Sequence, residues 1–151
     1  EGHYQGKDNN YLRKVAWGKA QDQLEDELHN PLTTILYITI GIQGAGKSFW
    51  ASKFCDINRT IIFDATNLTM SDRHDLFRII RSTVHKSLKV VAVCFPTSVE
   101  VAKKQNAKRS SERRIPENVI ENAAAKIEFP TYHGLFGKEQ FHEILVIKEQ
   151  A

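Results

Sequence analysis

A chain of 151 residues, 41% hydrophobic and 26% charged, is long enough to bury one core and too apolar for a disordered polymer. Its formal net charge of +3 says little about partners by itself. No apolar run approaches a membrane-spanning length, and Glu1 to Asn10 is too polar for a secretory signal, so a cytoplasmic protein with no membrane partner is the expectation. Cys55 and Cys94 form no C-x-x-C pair and read as reduced, buried thiols.

Residues 1 to 10 show no apolar periodicity and begin without Met, as in a fragment or a processed chain. From Tyr11 the pattern changes. Leu12, Val15, Ala16, Ala20, Leu24 and Leu28 recur at helical spacing, which predicts an amphipathic helix over Tyr11 to His29 that Asn30-Pro31 ends. Thr33 to Ile40 (TTILYITI) is nearly all β-branched or large and apolar, a buried strand. It runs into Gly41-Ile42-Gln43-Gly44-Ala45-Gly46-Lys47-Ser48, which meets the pattern G-x-x-x-x-G-K-[ST] at every fixed position. Glycines there let successive N–H groups converge on phosphate oxygens. Lys47 is placed for the β and γ phosphates of ATP, Ser48 for Mg²⁺, and Gln43, Gly44, Ala45, Gly46 and Phe49 complete the cradle. A merely structural turn rarely carries Lys-Ser after its last glycine. Phe49 to Cys55 has helical character.

Thr60 to Phe63 is a second strand that ends in Asp64-Ala65-Thr66-Asn67. In a parallel α/β sheet ligands lie beyond the carboxyl ends of strands, so Asp64 faces the same Mg²⁺; a plain turn Asp is the alternative. Thr69 or Ser71 caps a helix from Asp72 to about His85, with Leu76, Phe77, Ile80 and Val84 as its stripe. Lys89 to Phe95 is a third strand, apolar on both faces, followed by a short helix after Pro96-Thr97-Ser98. Between Lys103 and Arg114 stand six basic residues and one acid. This run, a connector between helices, is a candidate lid over the γ-phosphoryl oxygens. Proline at N1 starts the next helix at Ile115-Pro116-Glu117, with Val119, Ile120, Ala123, Ala124 and Ile127 inward, and Phe141 to Ile147 is the last strand. The six histidines show no metal-ligand spacing and receive no role.

Taken in order, GIQGAGKS, IIFDATNLTMSDR and AKKQNAKRSSERRIPENVI resemble the P-loop kinases related to the 5′-kinase domain of polynucleotide kinase, over most of residues 33 to 128. The resemblance implies that Lys47 and Ser48 serve ATP and Mg²⁺ and that Asp64 is the acid of a D-x-T-N motif. It sets Thr66, Asn67 and Arg73 on the acceptor side and makes Arg109 the second arginine of an R-N-x-x-R lid. Gln105 stands at the first lid arginine, so one of the two γ-phosphate clamps is either missing or supplied by Lys104, Arg113 or Arg114, with Arg113 taken as catalytic alongside Lys47, Asp64 and Arg109.

Between the loop and the DATN strand this family has a further strand, bearing the Asp that activates the acceptor, and a helix. Phe49 to Arg59 holds no candidate for that acid. Trp17 to Asn30 resembles the helix that in this family leads into the DATN strand. Residues 1–30 are therefore expected to pack on a kinase domain of residues 31–151, and to belong in space between Cys55 and Ile57 through circular permutation or a reordered chain.

The expected fold is three-layer α/β, a parallel sheet with helices on both faces and a basic lid. The expected activity is transfer of the γ-phosphoryl group of Mg-ATP to a hydroxyl, with the 5′-OH of DNA or RNA implied by the resemblance. A small-metabolite kinase and an ATP-hydrolysing switch without an organic acceptor are the alternatives.

Overall fold

Four parallel strands in the order β2-β1-β3-β4 form the centre of the computed structural model, which describes residues 10–30, 32–53, 60–82, 88–130 and 139–148. In chain order the elements are α1 (Asn10–Leu28), β1 (Ile35–Ile40), α2 (Lys47–Ser52), β2 (Thr60–Phe63), α3 (Met70–Ser82), β3 (Lys89–Cys94), α4 (Val99–Ala107), α5 (Glu117–Lys126) and β4 (Glu143–Val146). Each strand found matches an expected one, with ends shifted by a residue or two. Cys55 and Ile57, with the whole of 54–59, lie outside the described residues, as do Val84 and His85.

The two central strands are apolar on both sides because both sides are covered. Leu36, Ile38 and Ile40 of β1 share one face with Val90, Ala92 and Cys94 of β3, packed by Leu24 and Leu28 of α1 and Leu76 and Phe77 of α3. The opposite face carries Val91, Val93 and Phe95, with Tyr37 and the α2 residue Trp50 against them. Trp50 stands edge-on to Tyr37 at 5.5 Å and to Phe95 at 6.2 Å between ring centroids. This two-residue alternation within a continuous apolar run is the pattern of a sheet between two helical layers. Each fully buried Leu or Ile contributes about 1.5–3 kcal/mol, which is what anchors α1 to a sheet that it precedes in the chain. Cys94 is buried as expected, and burial pushes its thiol up to about 11.

A smaller apolar cluster, Ile42, Ala102, Ile115, Ile120 and Ala123, fastens α4 and α5 to the base of the glycine-rich loop. Here the structure corrects the sequence. By composition Lys103 and Lys104 belong to a connector, yet they lie on α4, which runs to Ala107. Two interactions explain the longer helix. Ser98 accepts from the Val101 N–H at 3.2 Å as a cap. The buried Asn106 amide pairs in both directions with Ile115, donating to its carbonyl at 2.7 Å and accepting from its N–H at 2.9 Å. Only Lys108 to Arg114 remains as a loop between these clamps, and Pro116 occupies the N-cap of α5 rather than N1. For α3 the choice between caps falls to Thr69, whose hydroxyl accepts from the Asp72 N–H at 3.1 Å while the Asp72 carboxylate accepts from the Thr69 N–H at 3.3 Å, a reciprocal box.

Candidate nucleotide and metal site

The chain leaves β1 at Ile40 and turns at once. The Gly41 N–H donates to the Thr66 carbonyl at 3.1 Å, so the start of the glycine-rich loop is bonded to the segment that follows β2. Gly44 and Gly46 adopt φ of +85° and +93°, a region closed to most side chains. Gly44 is constrained twice, since a Cβ there would lie 2.4 Å from the Ala102 carbonyl oxygen of α4. α2 then begins at Lys47 with Gly46 as its cap.

Lys47 is buried and donates from Nζ to the Ile42 carbonyl at 2.7 Å, folded across its own loop. Burial pushes its ammonium down to about 8, Asp64 opposes that shift, and the nearby Arg109 cation adds to it. Ser48 Oγ donates to Asp64 Oδ2 at 2.8 Å. Asp64 is in turn set by Thr39, whose hydroxyl accepts from the Ala65 N–H at 3.1 Å and donates to the Ala65 carbonyl at 2.8 Å, with Asp64 Oδ1 at 3.4 Å. The loop hydroxyl and the strand-end carboxylate thus form an oxygen pair. Among the described residues no group of three or more His, Cys, Asp or Glu gathers, so a cation here would have one carboxylate, one hydroxyl, waters and phosphate oxygens. That donor set fits Mg²⁺, which keeps waters and prefers one or two carboxylates.

Gly44, Ala45, Gly46, Lys47, Ser48 and Phe49 line a single cavity of about 480 Å³ with Thr97, Val101, Gln105 and Arg109 across it. Burial, with Arg113 nearby, holds the Arg109 guanidinium below its usual range. Arg114 donates to the carbonyls of Arg109 at 3.0 Å and Ala107 at 3.4 Å, bracing the turn that aims Arg109 inward. Of the residues expected at the nucleotide, Gln43 is absent from this lining and its Oε1 is buried without a partner. Arg113 is exposed and lies outside the lining as well.

A comparison with protein-family models matches residues 52–130 to the AAA domain. The chain belongs to the AAA domain family. The matched span of this AAA domain chain runs from the end of α2 past α5, and so includes Asp64, Asn67, Arg73 and the basic loop Lys108 to Arg114, while the phosphate loop precedes it. Glycine-rich loop, parallel sheet and flanking helices together make an α/β P-loop fold with nucleotide binding as its general function. No curated protein matches the chain.

On the acceptor side the structure reassigns one residue. Arg73, expected beside the acceptor, is fully buried, and all five of its N–H groups are used. Nε and Nη2 hold the Glu139 carboxylate at 2.5 and 3.0 Å, Nη1 reaches the carbonyls of Asn67 and Leu68 at 2.7 and 3.2 Å, and Nη2 also reaches that of Glu128 at 2.7 Å. Its guanidinium is a five-bond clamp under the DATN turn, with no donor left for a substrate. Asn67 itself is buried with φ of +47°, a left-handed conformation that Asn tolerates, and donates from Nδ2 to the Thr39 carbonyl at 2.8 Å. Thr66 contributes its carbonyl to Gly41.

Thr39, Thr97, Val101 and Glu139 do not stand out in the sequence. The single threonine of β1, late in an otherwise largely apolar strand, is a usable signal for Thr39. Glu139 offers none.

Proposed function

We propose that the protein is a kinase that passes the γ-phosphoryl group of Mg-ATP to a hydroxyl acceptor. The observation that carries this reading is the 2.8 Å bond between Ser48 and Asp64, which joins a phosphate loop to a strand-end carboxylate beside a cavity that Arg109 also lines.

In this mechanism the loop N–H groups and Lys47 bind the β and γ phosphates, Lys47 exchanging the Ile42 carbonyl for phosphate oxygens. Ser48 and Asp64 would hold Mg²⁺, which would supply charge neutralisation at the phosphate oxygens. Arg109 meets the equatorial oxygens of the transferring group, with Arg113 following from the loop part of the lid, and Phe49, exposed at the cavity mouth, covers the base side. Thr66 and Asn67 present the acceptor-side turn, which Arg73 fixes from below. Catalysis of this kind is positioning and charge neutralisation.

The resemblance to the 5′-kinase domain of polynucleotide kinase supports the 5′-OH of DNA or RNA as acceptor. A second reading, a small-metabolite acceptor, is favoured by the acidic lining of the cleft beside Asp64. Counting α1 as part of the kinase domain is supported by its Leu24 and Leu28 in the main core.

The test is transfer of labelled γ-phosphate to oligonucleotide and small-alcohol acceptors, with Lys47→Ala as control. Acceptor-dependent transfer that the control lacks supports a kinase. ATP hydrolysis at full rate without any acceptor overturns it in favour of a switch.

A further inference from the structure

The cavity beside the phosphate loop is lined by two kinds of group. Lys47 and Arg109 are its cations, close enough for Arg109 to act on the Lys47 ammonium. Ala45, Phe49 and Val101 are its apolar groups, and Phe49 is the one aromatic among the described residues of the lining. Phosphates account for the first set and leave the second unexplained.

Phe49 is 68% exposed. A lone exposed apolar residue needs no explanation, but two further observations set this ring apart. The next residue, Trp50, stands edge-on to Tyr37 and Phe95 against the sheet. Successive helical residues point about 100° apart, so the packing that fixes Trp50 also turns Phe49 off the sheet and into the lining of the cavity. The second observation is Lys53, four residues on, whose Nζ lies 4.8 Å from the centroid of the Phe49 ring. A cation over one face steadies the ring and leaves the opposite face for another planar group.

Position in the chain says which part of a nucleotide meets that face. The loop N–H groups cradle phosphates, and Ser48 ends the motif. Phe49 follows directly and is the first side chain past the cradle. Its ring has no polar atom to offer a phosphate oxygen, whereas a nucleobase presents a π-face of the same kind.

We propose that Phe49 is the nucleobase platform of this site, its free face stacking on the base and favouring purine over pyrimidine nucleoside triphosphates. This rests on the reading of the loop as a Mg-ATP site. A bicyclic purine covers more of the ring than a pyrimidine does, and the apolar area removed from water grows with that overlap. Lys53 holds the ring from behind and is a positioning residue.

The experiment is calorimetric titration, in the presence of Mg²⁺, of the wild type, Phe49→Ala and Phe49→Trp with ATP, CTP and inorganic tripolyphosphate. The ring is mostly exposed, so both variants should fold, and circular dichroism checks this. Phe49→Ala is expected to weaken ATP about tenfold or more, to weaken CTP less, and to leave tripolyphosphate unchanged. Phe49→Trp should bind ATP at least as tightly as the wild type. Equal losses for ATP and tripolyphosphate would make the ring part of the phosphate cradle and overturn the proposal. Unchanged ATP affinity in Phe49→Ala overturns it too, as does Phe49→Trp binding ATP as weakly as Phe49→Ala. Failure of the Mg-ATP reading shows differently, as a wild type that binds neither ATP nor tripolyphosphate, and it removes the proposal with it.

Discussion

Arg73 and Glu139, 66 positions apart, close a buried ion pair directly beneath the turn that carries Asn67. Removing one partner of such a pair leaves an uncompensated buried charge, at a cost of roughly 3–5 kcal/mol. A domain of this size is stable by only about 5–15 kcal/mol. Glu139→Gln and Arg73→Met should each therefore lower the urea midpoint markedly. The double variant Arg73→Met, Glu139→Leu should lose clearly less than the sum, because no charge is stranded in it. A Glu139→Gln midpoint equal to wild type would show that the pair does not hold the turn.

The same pair marks where the sequence stops being legible. The phosphate loop can be read because its chemistry lies in eight consecutive residues whose types together fit little besides a phosphate cradle. The strands can be read because β1 and β3 need apolar residues on both faces. Arg73 cannot. Its partners Glu139 and Glu128 lie 66 and 55 positions away, and nothing local distinguishes an arginine that clamps a turn from one that faces a substrate. The basic run misleads for a related reason: Lys103 and Lys104 look like connector by composition, but Ala102 and Asn106 on the same helix are buried, and burial decides where α4 ends. The cleft beside Asp64, lined in part by α1, is invisible as well, since it depends on where Leu24 and Leu28 dock.

Lys47 gives a pH dependence with a definite sign. Its folded value is lowered to about 8 from 10.5 by burial, so between those values the unfolded chain binds more protons than the native one, and nucleotide-free stability from this group rises with pH. Nucleotide binding goes the other way. Phosphate oxygens need the ammonium form, and above about pH 8 each unit of pH should weaken ATP binding by up to about tenfold until the ATP-bound value is reached. Calorimetric titration at pH 7, 8 and 9 measures this, and Lys47→Met should bind ATP weakly with a flatter profile. An affinity in the wild type that is constant from pH 7 to 9 would place Lys47 away from the phosphates.

Ser48 and Asp64 should act as one unit toward the metal. Ser48→Ala and Asp64→Asn are each expected to raise the Mg²⁺ concentration needed for half-maximal ATP binding. Directly bonded groups couple by about 0.5–3 kcal/mol, so the double variant should fall short of the product of the single effects. Strictly multiplicative effects in the Mg²⁺ titration would mean that the two oxygens do not share an ion.

Gly44 and Gly46 look equivalent in the motif but carry different constraints. Both have positive φ, for which a side chain costs about 1–2 kcal/mol. A Cβ at Gly46 meets nothing within 4 Å, whereas at Gly44 it would sit 2.4 Å from the Ala102 carbonyl of α4. Backbone cannot rotate aside as a side chain can, so Gly44→Ala must push the loop and α4 apart. Because α4 carries Val101 and Gln105 into the cavity and leads to Arg109, that displacement should reach the nucleotide site. Gly46→Ala is expected to lower the melting temperature modestly. Gly44→Ala should lower it further and weaken ATP binding at least about tenfold, and equal melting temperatures for the two variants would show that the loop is not packed against α4.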